Sequence, residues 1–352
     1  MMIFSKRTRV RISAAALICL ISFTTYSQRA LPVRISKKTG NHIDILVGGK
    51  LFTTFLYPDT LEKPVLFPVY SAGGTMVTRG FPLMPKPGEP DDHPHHIGIW
   101  FNYENLNGLD FWNNSYAIKP EKKASYGWIR TDKITETKDG TTGVLAYHAN
   151  WTTQSKEIIV TENTRLEFSG TGNQRVIDRT TVLTAVQDAL FKDAKDAFLA
   201  IRVAKELQIP TKEEKSFTDD KGNATVVKGN TVANGNYLSS EGKLGDSVWS
   251  TRARWVNLFG KMGNDSISIA IIDHPKNVNY PTFWHARGYG LFAANPLGEN
   301  IFTNGRSAKN LQLKKGESVT FRYRIIVDQG SKSLSPAELN AQADAFAGKS
   351  GM

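Results

Sequence analysis

The 352-residue chain has a single cysteine, Cys19, and it lies in an apolar stretch near the start. Once that stretch is set aside, disulfide staples and thiol chemistry are excluded, and the fold must rest on its hydrophobic core. No long apolar run follows Phe23. No Lys/Arg run follows the N-terminal one either, although the formal net charge is +11. Dispersed charge of this kind argues against nucleic-acid binding. Helical periodicity is also nearly missing, which argues against βαβ architecture. Histidine is scarce at seven residues, yet His93, His95 and His96 fall within four positions. Imidazole changes charge near neutral pH and is a common metal ligand, so that concentration marks a site.

The N-terminus reads as an export leader over residues 1–27. Lys6, Arg7, Arg9 and Arg11 form its basic part, Ile12 to Phe23 its apolar part, and Thr25-Tyr26-Ser27 a small-residue cleavage site. The apolar run is shorter than the roughly 20 residues of a membrane span. A periplasmic or secreted protein, with no membrane span in the mature chain, is therefore expected.

Beyond residue 30 the pattern is strand-like. Runs such as 43–47, 143–151, 156–161, 165–168, 180–184, 197–203, 266–272 and 318–327 are rich in β-branched and aromatic residues. Gly, Asn and Asp cluster between them. This predicts an all-β protein of packed antiparallel sheets, with one large domain over residues 28–330. The polar stretch 212–246 reads as a surface excursion. Ser335-Pro336-Ala337-Glu338 supplies an N-cap, a proline at the first helical position and a capping carboxylate. A short C-terminal helix and tail over 331–352 follow from it.

Three segments carry candidate chemistry. In the first, an extended backbone would point His93 and His95 together and His96 away, unless Pro90 and Pro94 bend it. These imidazoles suit acid–base work, metal ligation or hydrogen bonds to buried carbonyls. A His-x-His pair does not complete a metal site, and His285, Asp110 or Glu104 would have to be recruited. Metal and cofactor identity stay open, as does oligomeric state. The second segment, Trp284 to Gly298, would align His285, Arg287 and Tyr289 on one face. Arg287 offers a planar fork for a carboxylate or vicinal hydroxyls. In the third, Lys195 and Asp196 precede an apolar strand, where a cleft gains charged groups. Trp112 and Trp284, beside these clusters, are the candidate sugar-stacking platforms.

Several motifs here resemble a bacterial family, the PmoA-like proteins. They include Val77-Thr-Arg79, Asp92-His-Pro-His-His-x-Gly-x-Trp100, Asn107-Gly-x-Asp-Phe-Trp112 and Ala197-Phe-x-Ala-Ile-Arg-Val-Ala204. Arg252-Ala-x-Trp255, Ile272-Asp-His-Pro-x-Asn277 and the stretch from Tyr280 to Pro296 complete the set, so the likeness spans about residues 50–327. The chain has Ile97 where the family usually has Arg, and Asp193-Ala-Lys-Asp-Ala197 where the family reads Asp-Thr-Lys-Glu-Gly. A methane monooxygenase subunit in the literal sense would need several membrane helices, for which no apolar runs exist. The resemblance implies a large, supersandwich-like β-sandwich and points to carbohydrates. Arg79, Asp110 and Asn295 join the substrate-binding candidates within these motifs.

The expectation is thus an exported protein holding a carbohydrate or sugar-derived acid in a cleft, and cleaving a glycosidic bond by hydrolysis or elimination. An imidazole or carboxylate would take a proton, Tyr289 or a histidine would protonate the leaving oxygen, and Arg287 would hold a hydroxyl or carboxylate. A non-catalytic glycan-binding protein and a metal-dependent enzyme are the alternatives.

Overall fold

The computed structural model describes residues 1–2, 29–219 and 221–349. The export leader expected over residues 1–27 lies almost entirely outside them. Among the described residues no helix is long and apolar enough to cross a membrane.

The chain builds two eight-stranded antiparallel sheets. Strands β1 (Val33–Lys38), β2 (His42–Val47), β3 (Lys50–Leu56), β4 (Val65–Val69) and β5 (Ile99–Tyr103) form a meander in the first sheet. Next, β6 (Trp128–Lys138), β7 (Gly143–Thr152), β8 (Ile158–Gly170) and β9 (Gln174–Ala185) form a meander in the second. The runs 156–161 and 165–168, expected as two strands, are one: β8 continues through the polar residues between them. After the short β10 (Ala189–Phe191), β11 (Ala197–Arg202) returns to pair with β5.

The 212–246 excursion is more structured than its composition suggests. It contains the hairpin of β12 (Lys215–Thr218) and β13 (Ala224–Val227), then β14 (Asn236–Ser239), an edge strand of the second sheet. β15 (Trp255–Met262) and β16 (Asp265–Asp273) extend that sheet. β17 (Phe283–Ala286) and β18 (Leu291–Asn295) complete the first, in the order β5-β11-β18-β17. A one-turn helix α1 (Glu299–Phe302) precedes β19 (Leu311–Leu313), which pairs with β10. Finally β20 (Ser318–Gly330) fills the gap between β16 and β9.

Period-two alternation sends one side of each strand into a shared core between the sheets. Phe101, Leu199, Ile201, Phe292 and Trp284 enter it from the first sheet, and Trp151, Leu166, Ile269 and Phe321 from the second. Within that apolar layer lies a buried polar knot. Glu162 accepts hydrogen bonds from Tyr147, Trp151 and Arg179 at 2.8 Å each, so the buried charge is compensated.

The C-terminal helix α2 (Pro336–Ala347) forms as its start signal requires. Ser335 Oγ accepts from Glu338 N, and Glu338 accepts in return from Ser335 N. Its buried residues Leu339, Ala343 and Phe346 pack on Trp255, Ala270, Ile272 and Ile326, the outward side of the second sheet.

Two substitutions separate core from cap. Phe198→Ala is expected to cost about 3–5 kcal/mol, since the ring is fully buried among Phe101, Tyr103 and Phe321. Ser335→Ala is expected to cost about 1 kcal/mol through the lost cap. Denaturant unfolding measures both, and equal costs would contradict this division.

Candidate functional site

The outward face of the first sheet is where the candidate residues meet. Because Trp284 and Ala286 point into the core, His285 between them points outward, beside Ala293 of the neighbouring strand. Ala293 and Ala200 are small and buried, and with Trp100 they form a low floor. Above it lies a hollow of about 250 Å³, bordered by the three clustered imidazoles, His285, Arg287 and Tyr289. The hairpin β12–β13 arches over it through Phe217, Thr218 and Thr225.

The segment 93–96 is bent and not extended. His96 N donates to His93 O at 3.0 Å across a turn with Pro94 at its second position, where the fixed ring dihedral favours turning. His93 itself sits at φ +44°, the left-handed region that non-glycine residues seldom occupy. The chain then enters β5 through Gly98, at φ +56°, where a Cβ would stand 2.1 Å from the Leu66 carbonyl. The bend brings all three imidazoles together. His93 and His96 stack with centroids 4.7 Å apart, and His95 sits edge-on to His96 at 4.3 Å. Tyr289 stacks on the far side of His93 at 5.2 Å, and Trp100 on the far side of His96 at 5.1 Å. The result is a four-ring column running from the floor to the wall.

A buried ion cluster holds this turn in place. Arg202 grips both oxygens of Asp92 at 2.7 and 2.8 Å, and the Arg79 guanidinium lies 3.5 Å from the same carboxylate. Arg79 also donates to the backbone carbonyls of Asp92, His93 and His96. Lys63, fully buried and pulled down to about 8 by burial, donates to the His95 carbonyl at 2.9 Å. Burial pushes the Asp92 carboxyl up, but Arg202, the His93 hydrogen bond and Arg79 outweigh it and hold Asp92 well below the usual range.

These contacts also fix the imidazole tautomers. An ionised Asp92 can only accept, so His93 donates from Nδ1 at 2.6 Å and keeps a lone pair on Nε2. Arg202 can only donate, so His96 accepts at Nδ1 (3.2 Å) and carries its proton on Nε2. The Nε2 atoms of His95 and His96 are buried and have no protein partner among the described residues. On the other wall Arg287 Nε donates to His285 Nε2 at 3.1 Å, which puts the His285 proton on Nδ1, 3.0 Å from Asp196. Burial lowers all four imidazoles from their ordinary value. His95 and His96 go furthest, while Asp92 and Asp196 partly offset the shift at His93 and His285.

Of the expected site residues, His93, His95, His96, His285, Tyr289, Trp112, Lys195, Asp196 and Arg287 border the hollow. Four do not. Trp284 is corrected by strand alternation: it faces the inter-sheet core, fully buried, with its indole N–H on the Ala253 carbonyl, and cannot stack on a ligand. Arg79 is spent on the 92–96 backbone. Asp110 accepts from Trp112 N and Asn113 N at 2.9 Å each, and burial pushes its carboxyl up to about 7. Asn295 donates to the carbonyls of Ala194 and Lys195, so it places the turn that presents Lys195 and Asp196.

Trp112 borders the hollow at only 1% exposure and meets His96 edge-on, so it is backing and not a platform. The half-buried aromatics there are Tyr289 and Phe217. The sequence reading missed Asp92, Arg202 and Lys63 as site residues. Their places in the Asp92–Trp100 and Ala197–Ala204 motifs were the available signal for the first two. Phe217 carried none. Glu104, a possible metal ligand by composition, accepts instead from Asp196 N at 3.0 Å. Among the described residues no three His, Cys, Asp or Glu side chains are arranged to hold a metal ion.

Fold and site together define an antiparallel β-sandwich protein with a polar, imidazole-lined hollow on one outer sheet face. Residues 42–344 match the model of a family of unknown function (DUF6807), and the chain belongs to that family. No curated protein matches the chain. Among solved structures, it is similar to an α-galactosidase from Geobacillus stearothermophilus (9% identity, TM-score 0.32, 86% of this chain and 40% of that one). It is also similar to an α-galactosidase from Lactobacillus brevis (9%, 0.36, 87% and 40%). A third is a GalM/aldose epimerase homologue from C. elegans (11%, 0.31, 85% and 98%). The chain thus spans about two fifths of the length of either α-galactosidase.

Two measurements check the site. Asp92→Ala leaves Arg202 and Arg79 buried without their counter-charge and is expected to cost about 3–5 kcal/mol in denaturant unfolding. A cost below about 1 kcal/mol, the value of a surface pair, would contradict the cluster's role. The second measurement is the dependence of Tm on pH. Below the ordinary imidazole value of 6.5 the unfolded chain takes up protons that the buried rings refuse, so stability present above that pH falls as pH drops. Asp110 and Asp273, pushed up to about 7 by burial, act oppositely: their contribution is present at low pH and lost as pH rises through 7. Tm should fall from pH 7 to 5, and fall less in a His95→Gln/His96→Gln variant. Equal slopes would contradict neutral imidazoles.

Proposed function

We propose that the protein binds a uronate-bearing carbohydrate in this hollow and breaks a glycosidic bond by elimination. The observation that carries the reading is the Asp92–His93 pair: a 2.6 Å contact at Nδ1 leaves Nε2 as a proton acceptor at the edge of the hollow. Arg287 and Lys195 bring positive charge to the same space, suited to a sugar carboxylate. Tyr289, pushed up to about 12 by burial, keeps its phenol proton at neutral pH and stacks directly on His93.

In the proposed step His93 Nε2 takes the proton from the carbon next to the carboxylate. That C–H electron pair becomes a C=C bond as the β C–O bond breaks, and the leaving oxygen takes the Tyr289 proton. Solvent then carries a proton from the imidazolium back to the phenolate. Hydrolysis by paired carboxylates fits less well, because it needs one protonated carboxyl facing the bond. Asp92 is held ionised by Arg202, Asp196 by Lys195 and His285, and Asp110 is turned to backbone N–H groups. Export to the periplasm or beyond belongs to the same proposal and rests on residues 1–27. Kinship with the PmoA-like proteins rests on the motifs between residues 50 and 327.

The test is incubation with uronate oligosaccharides, with products read by mass and by the ultraviolet absorbance of a conjugated unsaturated acid. His93→Ala is expected to lower kcat/KM by at least roughly a hundredfold, the usual contribution of a positioned base, with affinity nearly unchanged. Tight binding without any product in the parent protein would overturn the lyase reading in favour of a glycan-binding protein.

A further inference from the structure

A second hollow of about 350 Å³ adjoins the first, and the two share a single partition made of Phe217, Arg287 and Tyr289. The partition is built and braced. Phe217 lies 5.2 Å from the Tyr289 ring, and the Arg287 guanidinium sits 5.5 Å over Phe217 on one side and 4.7 Å over Trp249 on the other. Hydrogen bonds hold the β17–β18 turn that carries it: the Gln208 side-chain amide donates to the Tyr289 carbonyl at 2.9 Å and Ile209 N to the Gly288 carbonyl at 2.8 Å. Gly288 lets Asp246 approach closely, since a Cβ there would stand 3.1 Å from Asp246 Oδ1.

The far chamber differs in character from the first. It holds no histidine. Its walls carry the Trp249 ring, Asn230 and Asp246 on one side, and Lys215 and Lys228 of the hairpin on the other. Trp249 is half-buried, and its indole N–H is sealed from solvent without a hydrogen-bond partner among the described residues. A half-buried aromatic ring flanked by acid, amide and ammonium groups suits a polyhydroxylated ligand.

We propose that this chamber is a second sugar subsite, so that the ligand is an oligosaccharide lying across Arg287 and Tyr289, one residue to each side. The inference rests on the functional reading above and sharpens it. The bond to be cleaved would lie over the partition, next to Arg287 and Tyr289, which border both chambers and can donate hydrogen bonds. The hairpin β12–β13, which borders both hollows, covers the ligand along its length.

Calorimetric binding of galacturonate, digalacturonate and trigalacturonate to the His93→Ala protein tests this without turnover. Affinity is expected to rise at least roughly tenfold from the monosaccharide to the trisaccharide, through the added stacking surface. Trp249→Ala, added to the same background, is expected to remove most of that gain and to lower trisaccharide affinity more than monosaccharide affinity. Trp249→Phe, which keeps an aromatic ring in the chamber wall, should restore part of it. Equal affinity for all three ligands, or a monosaccharide affinity that falls as far as that of the trisaccharide in Trp249→Ala, overturns the second subsite alone. No binding of any of the three overturns the uronate reading and the subsite with it.

Discussion

A carboxylate buried at 7% exposure cannot stay ionised unless its charge is met, and Asp92 is met three times over. Arg202, reaching from β11, takes both oxygens; Arg79 approaches from the loop after β4; His93 donates along the chain. Each partner comes from a different part of the first sheet's outer face. The cluster therefore ties the turn 91–98 to a particular place above β11. Arg79 also meets the carbonyls that a tight turn leaves without secondary-structure partners. Everything about the imidazoles follows from this anchoring: the stacking, the tautomers and the neutral charge state.

Strand alternation supplies the second constraint. A sheet with one face in the core can devote its other face to a site only where small residues leave room. Ala200 and Ala293 do so between the bulky Trp100 and Leu291. The same alternation separates Trp284 from His285, so one dipeptide serves the core and the hollow at once. The histidine wall and the Asp196–His285 wall stand about this floor as two imidazole–carboxylate pairs, with Arg287 and Tyr289 at the far end.

Much of the architecture was legible because its signals are local. Period-two runs marked β2, β7, β9, β16 and β20, and Ser335 with Pro336 and Glu338 marked α2. The convergence of residues near 95 with those near 285 was an expectation drawn from composition, and the β5-β11-β18-β17 order is what realises it. What the sequence hid is non-local. Whether the 93–96 segment bends depends on Arg79 and Lys63 reaching it from other loops. The direction of Trp284 depends on which face of β17 meets the second sheet. The hairpin of Phe217 sits in a polar stretch with no apolar pattern to mark it, yet it supplies the wall that both chambers share. Arg202 read as part of a motif, but its partner is 110 residues away.

The central claim is that burial keeps His93 and His96 neutral while Asp92 and Arg202 fix them in opposite tautomers. Imidazole nitrogen chemical shifts across a pH titration of the folded protein measure this directly. The account predicts that both rings remain neutral as pH falls through 6.5, the proton on Nδ1 in His93 and on Nε2 in His96. Ordinary titration near 6.5, or the same tautomer in both rings, would contradict it.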